Sequence, residues 1–125
     1  MTETAPLRAF LVDDEPLALE RLERLLASFP ELQIAGKAHD PEEAVSALNI
    51  RQVDVLFLDI QMPGMNGFEL KQVLDERHTL PVIMITARSE PDLREKAMSS
   101  GAACFLRKPF DTETLVDCLE KALGV

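Results

Sequence analysis

Val55-Leu56-Phe57-Leu58-Asp59 joins four consecutive apolar residues directly to an acid. Apolar residues at every position, without alternation, are typical of a strand that is buried on both faces, as in a parallel sheet covered by helices. We therefore predict a central strand here. Its acid is then placed at the carboxyl end of the strand.

The same pattern, a short apolar run followed by an amphipathic segment, occurs five times along the chain. Short connections between such units predict parallel strands with helices crossing between them, so the fold class is α/β. We predict a flavodoxin-like (βα)5 doubly wound sandwich, with a five-stranded parallel sheet in the order 2-1-3-4-5 and helices on both faces. The second run is the weakest and is expected toward a sheet edge. The predicted strands span about 9–12, 33–38, 55–58, 82–85 and 103–106, and the predicted helices span about 16–29, 41–50, 68–77, 89–100 and 111–123.

Local signals mark the ends of several helices. Asp40 is expected to cap the second helix, with Glu43 completing a capping box. Asp111 is expected to cap the last helix. Gly101 and Gly124 follow the fourth and fifth helices, where glycine favours a helix end.

Length and charge indicate one compact, acidic domain. The chain has 125 residues, 46% of them hydrophobic, so we expect a single domain over 1–125 with its core at about 7–123. The net charge of −9 disfavours contact with nucleic acid or an anionic membrane. No apolar run approaches the roughly 20 residues of a membrane span, and no secretory signal is present, which favours a cytoplasmic protein.

The two cysteines, Cys104 and Cys118, lack the spacing of metal ligands. In a cytoplasmic protein we expect them to be small, reduced core residues and not a disulfide.

Chemically reactive side chains follow four of the five predicted strands. Asp13 and Asp14 follow the first strand and Asp59 the third, while Thr86 and Lys108 follow the fourth and fifth. In a doubly wound sheet these ends meet at one crevice. Neighbouring carboxylates repel one another, and a bound Mg²⁺ relieves that repulsion. One carboxylate could then attack a phosphorus atom while Lys108 and Thr86 bind its oxygens, so the pattern predicts a site that forms an acyl phosphate.

Four motifs, taken in order, resemble the response-regulator receiver domain of bacterial two-component signalling. They are Val12–Pro16, Leu58–Gly67, Ile85–Arg88 and Phe105–Phe110, at the ends of the first, third, fourth and fifth strands. The similarity extends over about 7–123. Each motif alone is a modest signal, whereas all four at corresponding strand ends are specific.

The resemblance implies that Asp59 accepts a phosphoryl group from a histidine kinase or a histidine phosphotransfer protein. It implies a Mg²⁺ site formed by Asp13, Asp14, Asp59 and the backbone carbonyl of Gln61, with Asp13 acting largely through water. The protein would then be no enzyme beyond self-catalysed phosphorylation and dephosphorylation of Asp59.

The resemblance also implies a switch. Thr86 and Lys108 would contact the phosphoryl group, and Thr86 would move inward and open a space that Phe105 fills. The face formed by the fourth helix, fifth strand and fifth helix, about 89–123, would change shape and present itself to a downstream effector protein or domain, or to a second copy in a phosphorylation-dependent homodimer. The Lys108–Pro109 peptide bond would be cis.

Three alternative functions share parts of this pattern. A flavodoxin-like cofactor carrier would need an anion-friendly loop after the first strand, and Asp13-Asp14-Glu15 would repel a flavin phosphate. A haloacid-dehalogenase-like phosphatase would carry its nucleophile on the first strand, whereas the candidate here is Asp59 on the third. A docking module that is never phosphorylated would not need the full set of strand-end residues. The sequence leaves open whether the receiver stands alone or belongs to a larger regulator, and a stand-alone protein is the favoured interpretation.

Overall fold

A computed structural model describes residues 7–48, 53–61, 66–76, 80–87 and 91–124. Strands and helices alternate through these residues. The strands are β1 (Leu7–Val12), β2 (Leu32–Ala38), β3 (Val55–Asp59), β4 (Val82–Thr86) and β5 (Cys104–Arg107), and the helices are α1 (Pro16–Ala27), α2 (Pro41–Leu48), α3 (Gly67–Asp75), α4 (Leu93–Ser99) and α5 (Thr112–Leu123).

The five strands form one parallel sheet in the order β2-β1-β3-β4-β5. The predicted α/β fold class and strand order are therefore confirmed. β2 lies at the edge, as its weak apolar character predicts, and its register against β1 shifts between Ala9 and Phe10. β3 lies between β1 and β4, which makes it the most enclosed strand of the site.

The sheet separates two hydrophobic clusters, and β3 contributes to both. Leu56 and Leu58 pack in one cluster, whereas Val55 and Phe57 pack in the other. Successive side chains of a strand point to opposite faces. A strand covered by helices on both sides therefore has to be apolar at every position, which is the pattern that predicted it.

The caps explain several helix ends. Asp40 and Asp111 accept the backbone N–H of Glu43 and Thr114, both at 2.8 Å, so both predicted N-terminal caps are confirmed. The Glu43 carboxylate accepts the backbone N–H of the exposed His39 at 3.3 Å instead of that of Asp40, so the predicted capping box is shifted by one residue. Gly101 and Gly124 have positive φ angles of 93° and 72°, which few other residues adopt, and this confirms the predicted C-terminal ends.

Some helix bounds differ from the prediction. α1 ends at Ala27, two residues early, because the Ser28 hydroxyl and N–H both bond the carbonyl of Leu25 and turn the chain. α4 begins at Leu93, and Pro91 and Asp92 form a turn before it. The predicted ends at 50 and 77, the start at 89, His78 and Arg88 lie outside the described residues. Among the helices described, none has both the length and the apolar character that a membrane crossing requires.

The expectation of two reduced cysteines is wrong, because Cys104 and Cys118 form a disulfide. Cys104 lies at the start of β5 and Cys118 lies on α5, the helix that packs back onto the same strand. The connection brings their Cα atoms to 5.6 Å, well inside the range that a disulfide bridges. A separation of 14 residues says nothing about this contact until the packing of α5 is known.

Gly67 fixes how closely α3 approaches the end of β3. A Cβ atom at this position would lie 2.6 Å from the carbonyl oxygen of Asp59 and 2.7 Å from Cα of Ile60. The N–H of Gly67 donates to the Ile60 carbonyl at 2.7 Å, and an Asn66–Glu69 capping box closes the first turn of α3. The missing side chain therefore lets α3 rest directly on the backbone that carries Asp59.

We expect Gly67→Ala to displace α3 from the end of β3, because the added methyl meets backbone atoms that cannot rotate away. Overpacking of this kind costs about 1 to 3 kcal/mol. Unfolding in urea followed by circular dichroism would measure the loss, since the sequence has no Trp or Tyr to report by fluorescence.

Gly124→Ala is the matched control for this prediction. It strains a left-handed backbone, but no atom lies within 4 Å of the added Cβ. Amide NMR shifts around Asp59 should move in Gly67→Ala and stay in place in Gly124→Ala. Equal shifts at Asp59 in both variants would contradict the close-approach explanation.

Candidate functional site

The carboxyl ends of four strands meet at one edge of the sheet. In the register of the sheet, Val12 is opposite Leu58, and Asp59 is opposite Ile85. Backbone bonds continue beyond the strands, with Ile60 N–H donating to Ile85 at 2.9 Å and Lys108 N–H donating to Thr86 at 2.8 Å. The turns that follow these strands are therefore held side by side, and their side chains enter one crevice.

The crevice collects three carboxylates. Asp13, Asp14 and Asp59 each place an oxygen within 4.8 Å of the others, although they come from two different strand ends. Asp13 and Asp59 are buried, at 5% and 6% exposure, and Asp14 is partly buried. Clustered carboxylate oxygens with restricted access to water suit a hard divalent cation such as Mg²⁺. The arrangement fits the metal-binding part of the predicted site.

Lys108 supplies the positive charge of the crevice. Its Nζ lies 2.7 Å from Oδ2 of Asp13, in an ion pair that spans 95 residues of sequence. The other oxygen of Asp13 accepts the backbone N–H of Glu15 at 3.0 Å, so this carboxylate is held from both sides. Three carboxylates and one ammonium leave the cluster with a net negative charge.

The electrostatic consequence appears at Asp59. Burial, and then the nearby charge of Asp13, raise the pKa of this carboxyl from 3.8 to about 7. The charge of Lys108 and the N–H of Gln61 act in the opposite direction and lower that pKa, but they do not compensate. A bound cation would stabilise the charged form of this buried carboxyl, and the gain in free energy would be larger than for an ordinary surface acid.

Most of the buried polar side chains belong to this crevice. Thr86 is fully buried at the end of β4, the strand that pairs with β3. Lys71 is also buried, but it lies elsewhere and binds Asp75 and the carbonyl of Ser100, both at 2.7 Å. The structure therefore brings Asp13, Asp14, Asp59 and Lys108 together, whereas Thr86 is placed only at the end of the neighbouring strand.

Phe105, the predicted switch residue, lies on β5 three residues before Lys108. Its ring is buried on β5, at 6% exposure, and the guanidinium of Arg94 on α4 lies 6.0 Å from the ring centroid. The sequence did not predict this cation–π contact, because nothing in the spacing of Arg94 and Phe105 indicates it. The Lys108–Pro109 peptide bond is cis, as the resemblance implies.

A family model described as the response regulator receiver domain matches residues 9–120. The chain belongs to this family. Receiver domains are components of two-component systems. All four motifs that carry the resemblance lie within the matched residues.

Other receiver proteins are similar over nearly the whole chain. An uncharacterized response regulatory protein of Vibrio cholerae is 38% identical over 117 residues, which are 94% of this chain and 48% of that protein. The response regulator domain of Thermotoga maritima CheB is 27% identical with a TM-score of 0.85, covering 96% of this chain and 98% of that one. A chain of the CheX–CheY–BeF3–Mg²⁺ complex from Borrelia burgdorferi is 27% identical with a TM-score of 0.85, covering 97% of this chain and 91% of that one.

This receiver domain spans about half the length of the curated relatives that it matches first. In those proteins the remaining half lies outside the aligned region.

We expect Asp59→Asn to stabilise this receiver domain at neutral pH in the absence of metal, because it removes a buried charge that its neighbours repel. The folded state binds the Asp59 proton more tightly than the unfolded state, whose pKa lies near 3.8, so the parent loses stability as the pH rises toward about 7. From about pH 5 to about pH 8, the parent should lose roughly 2 kcal/mol relative to the variant.

Urea unfolding in EDTA, followed by circular dichroism at several pH values, would measure this difference. Adding magnesium chloride should stabilise the parent more than the variant, because only the parent retains all three carboxylates. Parallel pH profiles of the two proteins would contradict the assignment of the raised pKa to Asp59.

Proposed function

We propose that this chain is a phosphorylation-dependent receiver in a two-component phosphorelay, with Asp59 as the phosphoacceptor. The observation that supports the proposal is the convergence of Asp13, Asp14 and Asp59 within 4.8 Å, with Lys108 paired to the same cluster. The phosphoryl donor would be a histidine kinase or a histidine phosphotransfer protein.

In this proposal, Asp13, Asp14, Asp59 and the backbone carbonyl of Gln61 hold Mg²⁺. The ion would neutralise the phosphoryl oxygens and keep Asp59 ionised at neutral pH. The raised pKa of Asp59 supports this role, because burial and then the charge of Asp13 disfavour the ionised carboxylate, and a bound cation would favour it.

The residues of the chain would carry out the transfer themselves. An oxygen of Asp59 attacks the phosphorus, the new P–O bond forms, and the bond from phosphorus to the donor nitrogen breaks. Lys108 exchanges part of its contact with Asp13 for a phosphoryl oxygen, and the Thr86 hydroxyl donates to another. Attack of water on the acyl phosphate later restores Asp59. Both steps are self-catalysed, and no separate substrate is turned over.

The readout would be a population shift around Thr86 and Phe105. A phosphoryl group adds about −1.5 to −2 charge and three acceptor oxygens beside Thr86. Phe105 is already buried beneath Arg94, so phosphorylation would favour a packing that the chain can adopt without phosphate. The output surface, defined here as α4, β5 and α5, would change its average shape.

We further propose that residues 1–125 form one receiver domain with its core at about 7–123. Its output surface would bind an effector protein, an effector domain or a second copy of the chain. The near-complete overlap with the CheB response regulator domain supports the single domain. The greater length of the curated relatives supports an effector outside the aligned region. The acidic charge of −9 argues against direct contact between this domain and nucleic acid.

Treatment with acetyl phosphate and Mg²⁺ should add one phosphoryl group to the parent and none to Asp59→Asn, because the amide cannot form the acyl phosphate. Mass spectrometry of the intact protein measures the gain. Asp54→Asn, at the exposed opposite end of β3, is the matched control and should be modified like the parent. A phosphoryl gain in Asp59→Asn would move the acceptor to another residue.

Lys108→Ala should slow this phosphorylation by about 10²- to 10³-fold, because it removes the one ammonium that contacts the carboxylate cluster. The exposed Lys121 on α5 offers a control substitution, Lys121→Ala, that should leave the rate unchanged. The measurement is the time course of the mass gain at fixed phosphodonor. An unaltered rate in Lys108→Ala would remove Lys108 from the proposed mechanism.

A further inference from the structure

The disulfide lies within the output surface. It joins the first residue of β5 to the middle of α5, and Cys104 directly precedes Phe105 in the strand. Sγ of Cys118 also lies 3.9 Å from the carbonyl oxygen of Phe105. The covalent bond therefore ties the residue that precedes the proposed switch residue to α5.

A groove of about 420 Å³ reaches this disulfide from the surface, and both cysteines line it. The groove runs between α4 and α5. Its lining includes three cations, Arg94, Arg107 and Lys121, and two acids, Asp111 and Asp117. The lining of the groove therefore carries more positive than negative side chains next to the two cysteines, although the whole chain has a net charge of −9. An anionic low-molecular-weight thiol is the kind of reagent that such an entrance attracts.

We propose that Cys104 and Cys118 form a reversible redox switch that exchanges with an anionic low-molecular-weight thiol. The disulfide form restrains the output surface, and the dithiol form releases it. The exchange itself is independent of phosphorylation, whereas its effect on signalling rests on the proposed function of Asp59.

The exchange balances in two steps. The thiolate of the first small thiol attacks Sγ of Cys104. Cys104 is the more exposed of the two cysteines, with 7% of its surface accessible against 3% for Cys118. A mixed disulfide forms and the Cys118 thiolate leaves. A second small thiolate attacks the sulfur of the bound small thiol and releases Cys104. The protein gains two electrons and two protons, and the small thiol becomes its disulfide.

The restraint acts on relative motion of β5 and α5. In the disulfide form, a shift of the β5 backbone at Cys104, next to Phe105, has to carry Cys118, and hence α5, with it. In the dithiol form, β5 and α5 keep their apolar contacts but can move separately. Phosphorylation of Asp59 should therefore alter the output surface less in the disulfide form than in the dithiol form.

The first experiment tests the exchange alone, on the folded chain without denaturant. The protein is equilibrated with mixtures of reduced and oxidised glutathione, thiols are alkylated, and the intact mass is read. These are the two cysteines of the whole sequence, so every alkylation reports on this pair. We expect zero alkylations at the oxidised end, two at the reduced end and full return on reoxidation. The thermal midpoint should fall by on the order of 10 °C on reduction, because the cross-link no longer limits the unfolded chain.

The second experiment compares the two redox forms with and without acetyl phosphate and Mg²⁺. Intact mass gives phosphorylation, and hydrogen exchange of 104–107 and 112–123 gives the response of the output surface. We expect equal phosphoryl gain in both forms, and a phosphorylation-dependent change in exchange that is lost or reduced in the disulfide form. The double variant Cys104→Ser/Cys118→Ser should respond like the dithiol form under oxidising conditions. If it fails to fold, the parent reduced with a dithiol provides the same comparison.

The outcomes separate the two proposals. Absence of phosphoryl gain in both forms would refute the function of Asp59 and leave the glutathione titration standing. If glutathione does not reduce the disulfide in the folded protein, the redox switch is overturned. The disulfide would then be a permanent cross-link. Equal exchange responses in both redox forms would also overturn it.

Discussion

The candidate site depends on three carboxylates that the sheet holds together against their mutual repulsion. Asp13 and Asp59 are buried at adjacent strand ends, and burial, followed by the charge of Asp13, raises the pKa of the Asp59 carboxyl to about 7. Only one ammonium, that of Lys108, contacts the cluster among the described residues. The fold therefore maintains a site with a net negative charge. The electrostatic energy of such a site changes strongly when a cation or a phosphoryl group arrives.

Hydrophobic burial holds these charges in place. β3 is apolar on both faces, so it is fixed between two cores and cannot slide without exposing one of them. Gly67 lets α3 rest on the backbone of Asp59, where any side chain would push the helix away. The energy that keeps the carboxylates together thus comes from residues that take no part in the chemistry.

The same sheet connects the acidic crevice to the output surface. Thr86 ends β4, and its neighbour in the register is Arg107 of β5, two residues after Phe105. The disulfide then joins β5 to α5, and Arg94 covers Phe105 from α4. Each of these contacts joins two neighbouring elements of the fold. In the proposed function, a change of charge at Asp59 would reach α5 through these neighbouring elements, and the proposed redox change of the cysteines would act on the contact between β5 and α5.

Much of this was determined by the sequence alone, because the signals are local. Four apolar residues before Asp59 identify a buried strand, the other strand ends identify the partners of Asp59, and the order of the motifs identifies the family. The tertiary structure decided the rest, because it depends on contacts between residues far apart in the chain. The pairing of Lys108 with Asp13, the cover that Arg94 gives Phe105 and the disulfide all require the final packing of helices on the sheet. Residue types and spacing fix which elements form, whereas distances between side chains exist only once those elements have packed.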